Sequence, residues 1–510
     1  MVLATCRSRH GERRERTTDA LKNLELLITS RYPIIVVESY EEERVEETLA
    51  RVASRLGVPL WVWTVTRGLR RAGTPGGMYD TRDPLKALGA LEGMAGEGIY
   101  LFGDLHRSLG DPAVVRKLHD LVPLFSRDRR AIVLAAPRVD LPPELARVVT
   151  VFKLELPDKE ELTALARQVT SALARQHRVS IELTPEQFGR LGDALSGLTL
   201  FEAEHALTRA ALRDGALTAQ DLTEIAEIKK QTLAKESVLE LLPAGDDLGN
   251  VGGLATLKAW LEKRRRAYTP EAKQFGVPMP KGVLLLGVQG CGKTLAARAV
   301  ARAWGLPLLK LEPGRLYNKF IGESERGLDR ALEAAERMAP CVLLIDELEK
   351  GLGGGTASEA DAGLSARLLG RLLGWLQDRQ APVFVVATCN QVSSLPPELM
   401  RKGRFDEIFF IDLPGREERS QIFSVHLRRR DRDPGVFDLD ALARASEGFS
   451  GAEIEQAVVS ALYSAFAQGV PLATRHILDE LGQSKPLSVT RAEEIAALRE
   501  WARGRAVPAS

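Results

Sequence analysis

Residues 281–295 read KGVLLLGVQGCGKTL, and this stretch decides the fold. Its second half, from Gly287 to Thr294, matches the pattern GxxxxGK[ST] of a phosphate-binding loop. Glycines let the backbone wrap closely enough for successive N–H groups to point at phosphate oxygens. The apolar run before the loop predicts a strand, and a helix beginning near Lys293 would direct its positive end at the same anion. The nucleotide-binding residues predicted here are Gly287, Val288, Gln289, Gly290, Cys291, Gly292, Lys293, Thr294 and Leu295.

A carboxylate pair follows this loop further along the chain. The apolar run that starts at Val342 ends in Asp346 and Glu347. A strand that ends in Asp-Glu is usually just a strand that meets solvent. After a phosphate-binding loop, the pattern instead predicts that Asp346 and the Thr294 hydroxyl hold Mg²⁺ and that Glu347 polarises the attacking water. Lys293 would then bridge the β- and γ-phosphates of ATP.

Two later elements complete the candidate catalytic set. The strand that ends at Asn390 supplies an amide that can orient the attacking water near the γ-phosphate. The segment MRKGRFD then carries Arg401 and Arg404. Surface arginines are usually just solvated. At this place in the order of motifs they also fit arginine fingers, which stabilise transition-state charge on the ATP of a neighbouring subunit.

The second half of the chain alternates short apolar strands with amphipathic helices, which is typical of a parallel sheet covered on both faces. From Arg416 onward the strands stop and helical patterns take over, as in a helical lid behind a nucleotide domain. Residues 242–249 contain Pro, Gly and two Asp and are predicted to be a linker. The predicted strands are Gly282–Leu286, Leu306–Leu311, Val342–Ile345, Val383–Thr388 and Ile408–Ile411.

The first half of the chain repeats the second. The run PIIVVESYEEERVEETLARVASRLGVPL begins at Pro33 and aligns without a gap over KGVLLLGVQGCGKTLAARAVARAWGLPL from Lys281, at a constant offset of 248 positions (281 − 33). Three further matches follow in the same order. Asp104 of IYLFGDLH is placed opposite Asp346, LPPEL occurs twice, and GLTLFEAE resembles GFSGAEIE. Four matches in one order predict two copies of one fold.

The two copies differ at the positions aligned with the predicted nucleotide-binding and catalytic residues. In the alignment Val45 stands opposite Lys293, and Leu105 stands opposite Glu347. The first half is therefore predicted to be a degenerate α/β lobe with its own helical segment, unable to hold a triphosphate and retained for scaffolding or partner contact.

Composition narrows the class of protein. The chain has 510 residues, enough for two large domains or three smaller ones, with 45% hydrophobic and 27% charged residues. Its net charge of +1 argues against nucleic acid and acidic membranes as partners. No apolar run approaches the ~20 residues of a membrane span. Four scattered cysteines form no disulfide framework, so the cytoplasm or an equivalent reducing compartment is expected.

Taken together, residues 246–470 resemble the AAA clade of AAA+ ATPases, with VGGL at Val251, both nucleotide motifs and the MRKGRFDEIFFIDLP segment. The resemblance implies ATP and Mg²⁺ as cofactors and assembly into a homo-oligomer, a hexamer by family expectation. It implies nucleotide contacts at Gly252, Gly451 and Ala452. It also makes Phe320 the aromatic of a pore loop that grips a threaded polypeptide; the alternative is a buried Phe at a helix start.

Over its full length the chain resembles a two-lobed AAA family of cyanobacteria and algal plastids. The chain departs from the AAA clade at GVQGCGKT, where GPPGTGKT is common, so Cys291 lies in the phosphate loop. A shielded small residue is one interpretation of this cysteine, and redox control is the other.

The predicted domains are a basic, disordered arm (1–20), which could instead be a targeting or binding tail, a degenerate AAA-like domain (21–240), a nucleotide-binding domain (246–414), a helical lid (415–485) and a C-terminal helical tail (486–510).

The function predicted is a Mg-ATP-dependent ATPase that assembles into a ring and remodels or threads a protein substrate, with the first lobe contacting a substrate or adaptor. The alternative is an ATP-gated switch or assembly scaffold with slow turnover and no threading. A nucleic-acid motor is a weaker third hypothesis, because the charge is nearly neutral. A built-in metalloprotease is excluded, since none of the seven histidines lies in an HExxH segment.

Overall fold

A computed structural model describes residues 21–176, 179–235, 238–243, 252–316, 323–352, 359–392, 397–401 and 403–510. The chain divides between Ala226 and Glu227 into two compact units. Over the described ranges, no helix combines the length and apolarity that crossing a membrane would require. The predicted arm (1–20) and Phe320 lie outside the described residues.

The first unit is built on a six-stranded sheet in the order β3-β2-β4-β5-β1-β6. All neighbours are parallel except β3, which pairs antiparallel with β2 at one edge. The strands are β1 Ile34–Glu38, β2 Leu60–Thr64, β3 Gly68–Arg71, β4 Gly98–Gly103, β5 Arg130–Ala136 and β6 Val149–Lys153. Both faces of this sheet are covered by buried apolar clusters, as the sequence predicts for a parallel sheet.

Helices cover the sheet and then form a separate helical part. The first four are α1 (residues 21–29), α2 Glu42–Leu56, α3 Pro84–Gly93 and α4 Pro112–Phe125. The helical part contains α5 Lys159–Gln176, α6 Pro185–Leu195, α7 Leu200–Asp214 and a short strand pair, β7 Ser180–Ile181 and β8 Ala216–Leu217. The next helix, α8 Asp221–Lys235, crosses the boundary between the units.

The second unit contains a seven-stranded sheet in the order β15-β14-β10-β13-β12-β11-β9. Only the edge strand β9 is antiparallel to its neighbour. The strands are β9 Glu240–Leu242, β10 Gly282–Gly287, β11 Leu308–Leu311, β12 Cys341–Ile345, β13 Val383–Cys389, β14 Glu407–Ile411 and β15 Val507–Pro508. The five predicted strands are all present, with ends shifted by two residues at most.

The helices around this sheet are α9 Ala255–Arg264, α10 Pro270–Phe275, α11 Lys293–Trp304, α12 Glu323–Met338, α13 Leu348–Leu352 and α14 Glu359–Asp378. A lid follows with its own apolar core, built from α15 Arg416–Arg428, α16 Leu439–Ala445, α17 Gly451–Ala467 and α18 Thr474–Gln483. The C-terminal segment contains α19 Leu487–Thr490 and α20 Ala492–Ala502. An α/β fold with a parallel sheet and a helical lid is therefore confirmed.

The repeat seen in the sequence is present in the topology. The five parallel strands β2-β4-β5-β1-β6 match β11-β12-β13-β10-β14 in order. The antiparallel edge strands differ in origin, since β3 follows β2 in the chain whereas β9 precedes β10. The offset of 248 also holds at the first helix, since α2 ends at a left-handed Gly57 and α11 ends at a left-handed Gly305. Two sheets with the same order and the same capped helix are two copies of one fold.

The pairing register corrects one step of the sequence alignment. Leu60 pairs with Ile99, and its counterpart Leu308 pairs with Val342, so β4 and β12 are offset by 243 positions (342 − 99). Asp104 therefore corresponds to Glu347, not to Asp346 as the sequence alignment predicts. Both residues have a left-handed backbone, with φ of 57° and 53°. Gly103 takes the place of Asp346, the predicted metal ligand, because the chain between Leu60 and Ile99 is five residues longer than the chain between Leu308 and Val342 (39 against 34 positions).

The C-terminal tail differs from the all-helical prediction. After α20 the chain returns to the sheet as β15, which pairs in parallel with the edge strand β14. Part of the predicted linker is also ordered differently, because Leu242 belongs to β9 and pairs with Leu308 of β11. Such short edge strands carry little apolar patterning of their own, so only their pairing partners reveal them.

Candidate functional site

The phosphate-binding loop joins β10 to α11 and depends on glycine at its first position. Gly287 has a φ of 144°, and a Cβ there would collide with the carbonyl oxygen of Ile411 in the neighbouring strand. Gly292 has a φ of 90° and caps α11, whose first residue is Lys293. Glycine is therefore required at Gly287 by the neighbouring strand and favoured at Gly292 by its left-handed backbone.

Lys293 is buried at the end of this loop. Its Nζ atom donates to the carbonyl oxygens of Gly287 and Val288, both at 2.8 Å. Burial lowers the pKa of this lysine, and nearby thiols and carboxylates, Asp346 among them, oppose that shift. A desolvated cation next to a helix N-terminus is well suited to meet a phosphate anion.

Asp346 lies at the end of β12 and collects hydroxyl donors from two neighbouring elements. Its Oδ1 atom accepts from Thr294 Oγ1 at 3.1 Å and from Thr388 Oγ1 at 2.7 Å. Lys310 Nζ lies 3.5 Å from Oδ2. The carboxylate and the Thr294 hydroxyl are hard oxygen donors of the kind that Mg²⁺ prefers, so these residues fit this ion. Thr388 was missed from the sequence, although it lies on β13 two residues before Asn390, which directly follows this strand.

Glu347 and Asn390 face one another across the ends of β12 and β13. The amide Nδ2 of Asn390 lies 3.5 Å from Glu347 Oε1, and the backbone N–H of Glu347 donates to Thr388 Oγ1 at 2.9 Å. Lys350 Nζ forms an ion pair with the other oxygen of Glu347 at 2.7 Å. The left-handed backbone at Glu347, with a φ of 53°, is uncommon for a residue with a side chain.

A cavity of about 310 Å³ brings most of the predicted residues together. Gly287 and Val288 do not line it, because they lie at the end of β10 beneath the loop. Neither Arg401 nor Arg404 lines it: Arg401 is exposed, and the guanidinium of Arg404 donates to the carbonyl oxygen of Glu398. The predicted residues that line it are Gly252, Gln289, Gly290, Cys291, Gly292, Lys293, Thr294, Leu295, Asp346, Glu347, Asn390, Gly451 and Ala452.

One wall of this cavity was not predicted. It comes mainly from one face of α15, where residues recur at helical spacing, so the periodicity of the lid helix was an available signal. His426 on this face is buried and lies 3.5 Å from Glu455. Burial lowers the pKa of His426, Glu455 opposes this shift, and Arg429 and Arg430 add to it. The unpredicted lining residues include Glu418, Ile422, Val425, His426, Arg429, Glu455 and Ser510.

The lid meets the phosphate-binding loop at the N-terminus of α17. The N–H of Ala452 donates to the carbonyl oxygen of Gly290 at 3.0 Å. A capping box holds this helix end, with Ser450 N–H donating to Glu453 at 2.7 Å. The lid and loop therefore form one continuous site.

In the first unit the corresponding place is filled by side chains of the chain itself. The N–H of Leu200, at the start of α7, donates to Glu41 Oε1 at 2.6 Å. Arg44 binds Glu41 at 3.2 Å, Glu161 at 2.9 Å and the carbonyl oxygen of Glu155 at 2.5 Å. Val45, which replaces the loop lysine, is buried in the apolar core. A carboxylate thus lies at a helix N-terminus of the kind that binds anions.

Comparison with known proteins covers both units. The first unit matches the models described as SpoVK-like AAA ATPase, N-terminal domain (residues 20–154) and second domain (residues 160–236). The second matches the ATPase family associated with various cellular activities (AAA) over residues 283–413 and the AAA+ lid domain over 437–480.

Individual relatives extend over nearly the whole chain. The AAA domain-containing protein ycf46 of Trieres chinensis is 36% identical over 481 residues, covering 94% of this chain and 95% of the relative. The ycf46 protein of Pyropia yezoensis is 36% identical over 485 residues, covering 94% and 97%. The proteasome-activating nucleotidase of Aeropyrum pernix is 37% identical over 207 residues, covering 40% of this chain and 50% of that protein. By its topology, its site and these matches, the chain belongs to the AAA ATPase family, together with the ycf46 AAA proteins.

Proposed function

We propose that the second unit binds Mg-ATP and hydrolyses it. The observation that carries the proposal is the single cavity in which Lys293 and Thr294 of the loop meet Asp346, Glu347 and Asn390 at the ends of adjacent strands. Family membership supports nucleotide binding at this site. The five side chains are placed so that each can take one of the roles that phosphoryl transfer requires.

Each side chain has a distinct task in this proposal. Lys293 and the loop N–H groups hold the β- and γ-phosphates, and Thr294 with Asp346 would hold Mg²⁺. When bound, the ion neutralises charge that develops on the phosphate oxygens. Glu347 polarises the attacking water and Asn390 orients it; the 3.5 Å separation of their side chains lets both reach one water molecule.

We further propose that the site is completed by a neighbouring copy of the chain. Arg401 and Arg404 do not line the cavity of their own chain, so a role on ATP requires them to act on another subunit. The relatives include a proteasome-activating nucleotidase, which supports a protein-directed function. Assembly into a ring, six-membered by family expectation, and remodelling of a protein substrate follow from this proposal.

The first experiment is the rate of Mg-ATP hydrolysis per chain across a wide range of protein concentration, with Glu347→Gln as the blank. A rate that rises steeply with concentration supports trans arginine fingers. It should be abolished by Arg401→Ala or Arg404→Ala without loss of ATP binding. A rate no higher than the blank at every concentration would overturn autonomous hydrolysis and favour the ATP-gated switch.

Threading and switching are separated by Phe320→Ala. A threading machine loses substrate-stimulated hydrolysis while its ATP affinity is retained, whereas a switch is unaffected. Tyr463→Ala is the matched control, since Tyr463 is an exposed aromatic residue on α17. The compartment proposed is the cytoplasm or one equally reducing, in which the free thiols of Cys291, Cys341 and Cys389 stay reduced.

A further inference from the structure

A second cavity, of about 240 Å³, adjoins the nucleotide cavity on its catalytic side. The two cavities share Gln289, Glu347 and Asn390 in their walls. The far wall of the second cavity comes from the C-terminal segment, residues 487–510, and includes Arg491 and Glu494. A cationic side chain from the end of the chain therefore lines the same space as the two residues that are proposed to activate water.

The C-terminal segment is anchored at three places, so the backbone that carries Arg491 is held in position. The N–H of Leu487 donates to Glu453 in the capping box of α17 at 2.8 Å. Arg499 makes a bidentate ion pair with Asp412, with contacts of 2.8 and 2.9 Å. Beyond α20, β15 pairs with β14, and Ser510 Oγ donates to Glu418 at 2.5 Å. A side chain supported on both flanks can act with defined geometry.

The charges of the cavity single out Arg491. The described cations in its wall are Lys350 and Arg491. Lys350 forms an ion pair with Glu347 at 2.7 Å. Among the residues that the structure describes, the Arg491 guanidinium contacts Glu494 at 3.3 Å, and half of its side chain is exposed. Glu347, Glu349 and Glu494 make the wall acidic, so a γ-phosphate next to it needs a compensating cation. Guanidinium is the side-chain group best shaped for phosphate.

We propose that Arg491 reaches from the C-terminal segment to the γ-phosphate of ATP bound in the same chain. This inference rests on the proposed nucleotide site and adds a cis guanidinium to it. Arg491 distinguishes ATP from ADP, since it contacts only the phosphate that ADP lacks. It also connects the anchored C-terminal segment to the γ-phosphate when ATP is present.

The test measures the equilibrium affinities of ATP and ADP with Mg²⁺ in the full chain carrying Glu347→Gln, so that ATP is not consumed. Adding Arg491→Gln is expected to weaken ATP binding by about 10- to 100-fold, the range for loss of a charge-assisted hydrogen bond, and to leave ADP binding unchanged. Arg491→Lys should retain part of the preference. Arg503→Gln is the matched control, because the Arg503 side chain is 78% exposed and forms an ion pair with Glu500, away from the cavity wall.

A second variant gives an effect of opposite sign. Glu494→Gln removes the partner that holds Arg491 and should raise the preference for ATP over ADP. An ATP-to-ADP affinity ratio that stays within about twofold of the parent in folded Arg491→Gln protein overturns the proposal. So does faster hydrolysis in the variant with Glu347 intact, which would mean that the segment obstructs the site. If the parent binds ATP without hydrolysing it, the proposed enzyme function fails, but the affinity ratio still decides the role of Arg491.

Discussion

Cys291 shows how burial sets the chemistry of a single residue in the phosphate-binding loop. Burial raises the pKa of its thiol to about 12, although Lys293 opposes this shift. The thiolate is the reactive form, so a raised pKa argues against a redox switch, even for a thiol that is only partly buried in the cavity wall. We predict that Cys291→Ala changes the hydrolysis rate by no more than about twofold. Mass spectrometry should find Cys291 unalkylated by iodoacetamide at pH 7 in native protein; rapid native labelling would restore the redox interpretation.

His426 provides a pH dependence at the same scale. Because burial lowers its pKa in the folded chain, the unfolded chain binds more protons between the folded value and the ordinary value near 6.5. The stability that His426 contributes is therefore complete above pH 6.5 and is lost as the pH falls through its folded pKa. We predict that the stability of the second unit falls less steeply below pH 6.5 in His426→Gln than in the parent. Denaturant titrations at several pH values would measure this, and equal slopes would contradict it.

At the scale of elements, the two units carry the same capping box on equivalent helices. Ser450 and Glu453 cap α17, and Thr199 and Glu202 cap α7. Replacing either cap residue by Ala should cost about 1 kcal/mol of stability in its own unit. Only Ser450→Ala should also weaken ATP binding, because α17 meets the phosphate-binding loop through Ala452. Thr199→Ala is the matched control, and a similar loss of ATP affinity in that variant would contradict the separation.

At the scale of the whole molecule, the two units differ in what lies at the equivalent helix N-terminus. The second unit has a cavity proposed to bind the phosphates of ATP, whereas the first unit has the carboxylate of its own Glu41 there. Arg44 and Glu41 have side chains only 11% and 8% exposed, so removing the cation leaves a buried carboxylate unpaired. We predict that Arg44→Gln destabilises the first unit by about 3 kcal/mol. ATP at about 100 times its Kd should stabilise the second unit by about 2.7 kcal/mol. Differential scanning calorimetry with and without ATP checks both predictions. ATP should raise the unfolding temperature of the second unit, and it should not restore the unfolding temperature of the first unit in Arg44→Gln.

The local part of the nucleotide site could be read from the sequence. A glycine loop followed by Lys293 and Thr294 is contiguous, and its strand and helix follow from patterns a few residues long. The same holds for Asp346, Glu347 and Asn390, each at the end of an apolar strand. Arg401, Arg404 and Phe320 remain predictions about a neighbour or a substrate, which a single chain does not contain.

What the sequence determined by itself was therefore the order of the motifs, the repeat and the α/β class, since these depend on short-range periodicity and spacing. Only the tertiary structure decided which residues line the same cavity. Strand register moved Asp104 from the position of Asp346 to that of Glu347, and a weakly patterned C-terminal segment returned to the sheet and brought Arg491 to the catalytic side. The physical reason is that pairing register and long-range packing are set by contacts between residues far apart in the chain, which local patterns do not encode.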